Sequence, residues 1–312
     1  MSALALAALL AASALGAEPD DWNELHEVFC AQTLDILRRL SSTKELHAFV
    51  LERRVDLQVV GPDTPGSPLQ DSNLGLYDPQ KRVMFLNRAR LIEGAGQLED
   101  AGFTEDEAAV VLAWRAAPLV AHEIRHALTD QEIRAAAGAA YPLTSREEEV
   151  VAYFDTVRVI QEGREAMPPF WKPGLLPYFD EQWAPVLEAW RHGPAGLDKL
   201  VESLRVEATI LGWSREKLLH WCREALRARR SIKDSELPAG TPVLTQDPDS
   251  EDPWAVRFAP PKEGGLRARI RRSLRDFEQA EAFLEVPGNW EKLRAVYRRR
   301  MRAVERAGRG AR

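Results

Sequence analysis

Five consecutive residues, His122-Glu123-Ile124-Arg125-His126, carry the spacing in this chain best suited to chemistry. On a helix, residues four apart share a face one turn above the other, so His122 and His126 can present two imidazoles to one metal ion. Glu123 lies about 100° around the helix from His122, beside the ion but outside its ligand set. There it can hold a metal-polarised water and act as general base, which is the mechanical content of an HExxH motif and points to zinc. Six histidines among 312 residues make an accidental match an event of about one chain in a hundred. The flanks suit a buried helix, with Leu119-Val120-Ala121 before the motif and Ala127-Leu128 after it.

A catalytic zinc takes three protein ligands and keeps one position for water. No further His follows at short spacing. Asp130 stands about 12 Å along the helix axis from His122, too far to share its ion, and is read as a surface residue or a support to the ligands. The next helix is the better source. Ser145 and Glu148 open it as a capping box, and Glu147-Glu148-Glu149 fill its first turn. The helix macrodipole favours acids there whether or not one binds metal. Glu149 is taken as the third ligand with Glu148 next, Glu148 being assigned to the cap. Ala152, one turn beyond Glu149, lets this helix approach the HExxH helix closely. Tyr141, Tyr153, His192 and His220 are the candidate donors for an oxyanion. His192 is placed at a helix end, and His220 falls in an amphipathic helix where a structural role is simpler. His26 and His47 also fall on amphipathic helices and are not taken as ligands.

The elements that must position these groups follow from periodicity. Trp22, Leu25, Phe29, Thr33, Ile36 and Leu40 recur at helical spacing, and Val55, Leu57 and Val59 alternate with polar residues as in a half-buried strand. Leu74–Tyr77 and Arg82–Leu86 flank Asp78-Pro79-Gln80-Lys81 and predict a β-hairpin. Thr104 and Glu107 form a capping box for a helix that reaches Pro118. That proline either kinks one long helix or starts a new one just before His122. The helix should end near Gly138. After Ser145 a helix runs through Val150, Phe154, Val157 and Ile160, with further helical patterns at 181–191 and 197–229. Residues 231–264 are rich in Pro, Gly, Asp and Ser and read as a linker or long loop. Two basic helices, near 265–285 and 289–307, close the chain.

His122-Glu123-x-x-His126, followed by a separate helix bearing Glu149-x-x-Ala152, resembles the gluzincin branch of the zincin metallopeptidases over roughly residues 50–165. The resemblance implies zinc as cofactor, His122, His126 and Glu149 as its ligands, and Glu123 as catalytic base. It also implies peptide or protein substrates that dock as an extended strand on a sheet edge, here the hairpin LGLYDPQKRVMFLN. In many gluzincins an Asp within about a turn of the ligand Glu orients a zinc histidine. This chain departs from that pattern, with Tyr153 four residues after Glu149 and Asp155 as its first Asp.

Composition sets the frame around this site. At 45% hydrophobic and 29% charged residues, the chain reads as an ordinary globular protein. Its net charge of −6 argues against a nucleic-acid partner. Residues 1–17 form an apolar run ending in small residues, as in a signal peptide, although no Lys or Arg precedes the run. Secretion or a periplasmic location is expected, with no transmembrane segment in the mature chain. Cys30 and Cys222 are then either a disulfide or two buried thiols. The last 48 residues hold fourteen Lys/Arg against six Asp/Glu. That excess reads as the solvated faces of two terminal helices packing through Leu293, Val296, Tyr297 and Val304. The expected fold is α+β and mainly α: a zincin-like core over 18–230 with a small antiparallel sheet on the HExxH helix, then the linker and a helical C-terminal segment, 265–312. The competing readings are a non-catalytic zincin-like scaffold of the cell envelope and an intracellular helical protein whose HExxH is accidental. The presence of Glu123 argues against the scaffold, which has no chemical need for a base.

Overall fold

The computed structural model describes residues 21–52, 55–61, 64, 69, 75–78, 81–204, 206–230, 241–245, 255–259 and 266–310. Residues 1–17, read as a signal peptide, lie outside the described residues. The chain begins with α1 (Asp21–Arg39), which buries Phe29, Thr33, Ile36 and Leu37 on one face, and α2 (Lys44–Leu51). Three strands follow: β1 (Asp56–Val60), β2 (Gly75–Asp78) and β3 (Val83–Asn87). β2 and β3 form the expected hairpin, antiparallel from Gly75↔Leu86 to Asp78↔Val83. β1 joins the other edge of β3 in parallel, from Asp56↔Val83 to Val60↔Asn87. The sheet, ordered β1-β3-β2, is therefore mixed and not antiparallel as expected. Alternation fixes which face a strand buries but not its direction. The chain passes from β1 to the far edge before the hairpin returns β3 to the centre, and that route sets the parallel pair.

Next come α3 (Arg88–Asp100) and α4 (Glu105–Ala137), the long helix on which the site is built. Both halves of the Thr104/Glu107 capping box form, and Gly138 closes the helix at φ 78°, in the left-handed region a C-terminal cap uses. Pro118 sits inside one continuous helix. The missing N–H and ring clash of an interior proline carry a cost of about 3 kcal/mol. Burial overrides it, since Val111, Ala113, Ala117, Ala121 and Ile124 are fully enclosed on several faces of α4. α5 (Arg146–Ala166) runs antiparallel to α4, bringing residues 148–149 to His126 and Thr156 to His122 and Pro118.

The chain continues through α6 (Lys172–Gln182), α7 (Ala184–Arg191), α8 (Pro194–Ser203) and α9 (Arg215–Arg230). Within 231–264, read as linker or loop, the described residues are two antiparallel strands, β4 (Thr241–Thr245) and β5 (Ala255–Ala259). TPVLT and AVRFA are short β-prone runs embedded among turn formers, and composition averaged over the whole segment hides them. α10 (Leu266–Glu285) and α11 (Asn289–Gly310) end the fold. The protein is mainly helical α+β, as expected, with two apolar cores. The larger joins α1, the sheet, α4 and α5. The smaller joins α9, α10 and α11 with Ile133 and Tyr141. No helix among the described residues is long and apolar enough to cross a membrane.

Candidate metal centre

His122 and His126 stack one turn apart on α4, their ring centroids 4.9 Å apart. Across from them α5 presents Glu149, whose Oε2 lies 3.4 Å from His122 Nε2 and whose Oε1 lies 3.6 Å from His126 Nε2. One ligand atom from each of the three residues falls within 4.8 Å of the others, a grouping of the kind that holds a metal ion. A tetrahedral zinc with ligands at about 2.0–2.1 Å spaces its donors about 3.3–3.4 Å apart, close to the two distances from Glu149, and two imidazoles with a carboxylate are donors that suit zinc. Ala152, one turn beyond Glu149, is fully buried. All three residues expected as ligands are thus brought together.

The three successive glutamates have three different jobs. Glu147 is buried and accepts from Thr209 Oγ1 at 2.6 Å and from the N–H groups of Ile210 and Leu211 at 3.0 and 2.8 Å, tying the 206–214 connection to α5. Glu149 faces the histidines. Glu148 was assigned to the cap, and only half of that box forms: Ser145 Oγ accepts from Glu148 N–H at 3.3 Å. The Glu148 carboxylate instead takes His126 Nδ1 at 2.9 Å and the Tyr297 hydroxyl, also at 2.9 Å. A histidine held at Nδ1 by a carboxylate leaves Nε2 for a metal, and at His126 it is Glu149 that faces this nitrogen. At His122 the corresponding neighbour is Thr156 Oγ1, 3.4 Å from Nδ1. Asp155, the first Asp after Glu149, goes elsewhere: it is 2% exposed and pairs with Arg125 of the motif, which also reaches Glu45 on α2 at 3.2 Å.

Glu123 is buried on the same turn of α4 as His122, and its Oε2 accepts from Tyr77 N–H at 2.8 Å. Tyr77 is on β2, an edge strand, so the outer edge of the sheet abuts Glu123. Gly75 leaves room for that closeness. A Cβ there would stand 3.1 Å from Phe85 O and 3.2 Å from Leu119 Cδ2, tighter than ordinary contact.

The acids and histidines of this cluster shift one another's titration strongly. Burial alone would depress His126, but Glu149, Glu148 and Glu123 override it and push its pKa up to about 10. Burial likewise opposes ionisation of Glu149, yet His126 and His122 hold it down at about 2. Tyr153 packs edge-on against His122 with centroids 4.7 Å apart. Burial first, then Glu149 and Glu123, raise its hydroxyl to about 12, so it stays protonated.

The centre opens into a cavity of about 290 Å³ whose wall includes Leu76, Tyr77, Asp130, Ile133, Tyr141 and Asp276. Asp130 is not on the surface. It is 7% exposed, lines this cavity and bonds Arg134 at 2.7 Å. Of the proposed oxyanion donors, Tyr141 and Tyr153 are at the site. His192 caps the end of α7 with its side chain 75% exposed, and His220 is exposed on α9. A larger cavity of about 400 Å³ lies between α3, α4 and α6. Its wall carries no His or Cys and only Glu93 as an acid, whereas the residues that could hold a metal line the smaller one. Tyr297 is the one residue at the centre that sequence reasoning assigned to packing alone. Its position on a core-facing stripe gave no sign that its hydroxyl reaches another helix.

No protein-family model, curated protein or solved structure matches the chain.

Proposed function

We propose that this protein is a gluzincin-like zinc metallopeptidase, with His122, His126 and Glu149 as zinc ligands and Glu123 as general base. The observation that carries the reading is the convergence of those three donors within 4.8 Å of one another, with Glu123 beside them. Bound zinc would acidify a water and polarise the scissile carbonyl. Glu123, with Oε2 anchored on Tyr77 N–H, takes the water's proton through its other oxygen and delivers it to the leaving amine. Tyr141 and Tyr153 both remain protonated at neutral pH and supply neutral hydroxyls for the developing oxyanion. The substrate is a peptide or protein laid along the outer edge of β2. A cavity of about 290 Å³ is at the small end for ligand sites and suits one or two side chains of such a strand. The composition of residues 1–17 supports export, which makes this a secreted or periplasmic enzyme in our reading.

The test is digestion of a peptide library by zinc-loaded protein. Wild type should cleave, and Glu123→Gln should lose about 10²–10⁴-fold in rate while keeping its zinc. Zinc-loaded wild type that cleaves nothing would contradict the peptidase reading and leave a non-catalytic scaffold.

A further inference from the structure

The orientation of His126 runs through a residue 149 positions along the chain from Glu148. Tyr297 on α11 donates to Glu148 Oε2 at 2.9 Å, and Glu148 Oε1 takes His126 Nδ1 at the same distance. A glutamate has three rotatable bonds, so a carboxylate tied only at the histidine would carry that ring with it as it swivelled. Tyr297 limits this freedom by tying the second carboxylate oxygen to a side chain packed into the core. It is fully buried, as are Leu293, Val296 and Val304 on the same stripe of α11, to within 2%. Arg300, one turn further on, pairs with Glu132 on α4 and with Glu45 on α2, fixing α11 to the helix that carries both histidines. Packing alone does not call for a hydroxyl here, since a phenylalanine would fill the same space. A buried tyrosine is placed where its hydroxyl finds a partner.

We propose that Tyr297 is a positioning residue of the metal centre: acting through Glu148, it holds the His126 ring, so that zinc affinity depends on the docked C-terminal helix. This rests on the zinc reading given above. The helix is thereby part of the site, although it touches neither ion nor substrate.

Zinc affinity of the full chain, measured by chelator competition, tests the relay in wild type, Tyr297→Phe, Glu148→Gln and the double variant. Groups that orient metal-bound histidines are worth about 10–100-fold in affinity. Tyr297→Phe should therefore bind zinc about tenfold more weakly, and Glu148→Gln at least as much. The double variant should match Glu148→Gln alone, because the path from the hydroxyl to His126 runs through that carboxylate. Melting of the metal-free variants separates a lost fold from a lost relay, and Tyr297→Phe, which keeps the ring, should melt close to wild type. Unchanged affinity in Tyr297→Phe would overturn the proposal, and so would losses that add in full in the double variant. Wild type that binds no zinc would instead sink the zinc reading and this inference with it.

Discussion

His126 and Glu149 are charged partners in the metal-free protein, and their coupling has a pH signature. His126 has a folded pKa of about 10 against 6.5 for a free histidine. It therefore contributes stability that is complete below 6.5 and lost as pH rises toward 10. Glu149, at about 2 against 4.5, contributes stability that is complete above 4.5 and lost as pH falls toward 2. The metal-free chain should gain most from this pair between pH 4.5 and 6.5, and its melting temperature should fall from pH 6.5 to 10. Replacing His126 by Gln should flatten that alkaline limb in thermal melts; an unchanged limb would contradict the pairing. Residue types and spacing made His122, Glu123 and His126 legible without a structure, because helical geometry alone puts the two imidazoles on one face with the carboxylate beside them; from the next helix they narrowed the third donor to Glu149 with Glu148 next. The division of labour among Glu147, Glu148 and Glu149 was not legible. Each is an acid in a first turn, and only the neighbours that α4, α11 and the 206–214 connection bring to them tell them apart.

Two helices and one strand make the centre: α4 supplies the histidines and Glu123, α5 the glutamates, and β2 the N–H that anchors Glu123. β2 packs tightly at position 75, where a Cβ would stand 3.1 Å from Phe85 O of the neighbouring strand and 3.2 and 3.3 Å from the leucine termini of Leu119 on α4 and Leu86. Gly75→Ala should cost about 1–3 kcal/mol in denaturant unfolding, as overpacking does elsewhere. It should also lower hydrolysis more than zinc content, since it pushes Tyr77 away from Glu123 while the ligands stay on α4 and α5. Full stability in Gly75→Ala would contradict this account of the contact. At this scale the helices, their caps and the hairpin could be read locally, because capping boxes and alternation act within a few residues of each other. The parallel pairing of β1 with β3 and the uninterrupted course of α4 through Pro118 could not, because both are decided by what packs around them.

Across the whole molecule the centre lies where the two apolar cores meet, with Ile133 and Tyr141 of the smaller core in the cavity wall. The cysteines divide between these cores, Cys30 in the larger and Cys222 in the smaller, and both are free thiols. Of the two states open from sequence, a disulfide or separate buried thiols, the structure has the second. Burial, first among the causes, pushes both thiols up to about 12. Neither should react with iodoacetamide at pH 8 in the native protein, and both should react once it is unfolded without reductant; rapid native labelling would contradict the placement of the cores. The basic C-terminal segment is likewise part of this assembly, with Leu293, Val296, Tyr297 and Val304 buried and Arg300 drawn into ion pairs with Glu132 and Glu45. The central claim concerns three side chains from two helices, and the metal content of purified protein tests it most directly. Wild type and Glu123→Gln should each hold about one zinc per chain and Glu149→Ala should hold almost none; zinc that survives Glu149→Ala, or is missing from wild type, would contradict the account.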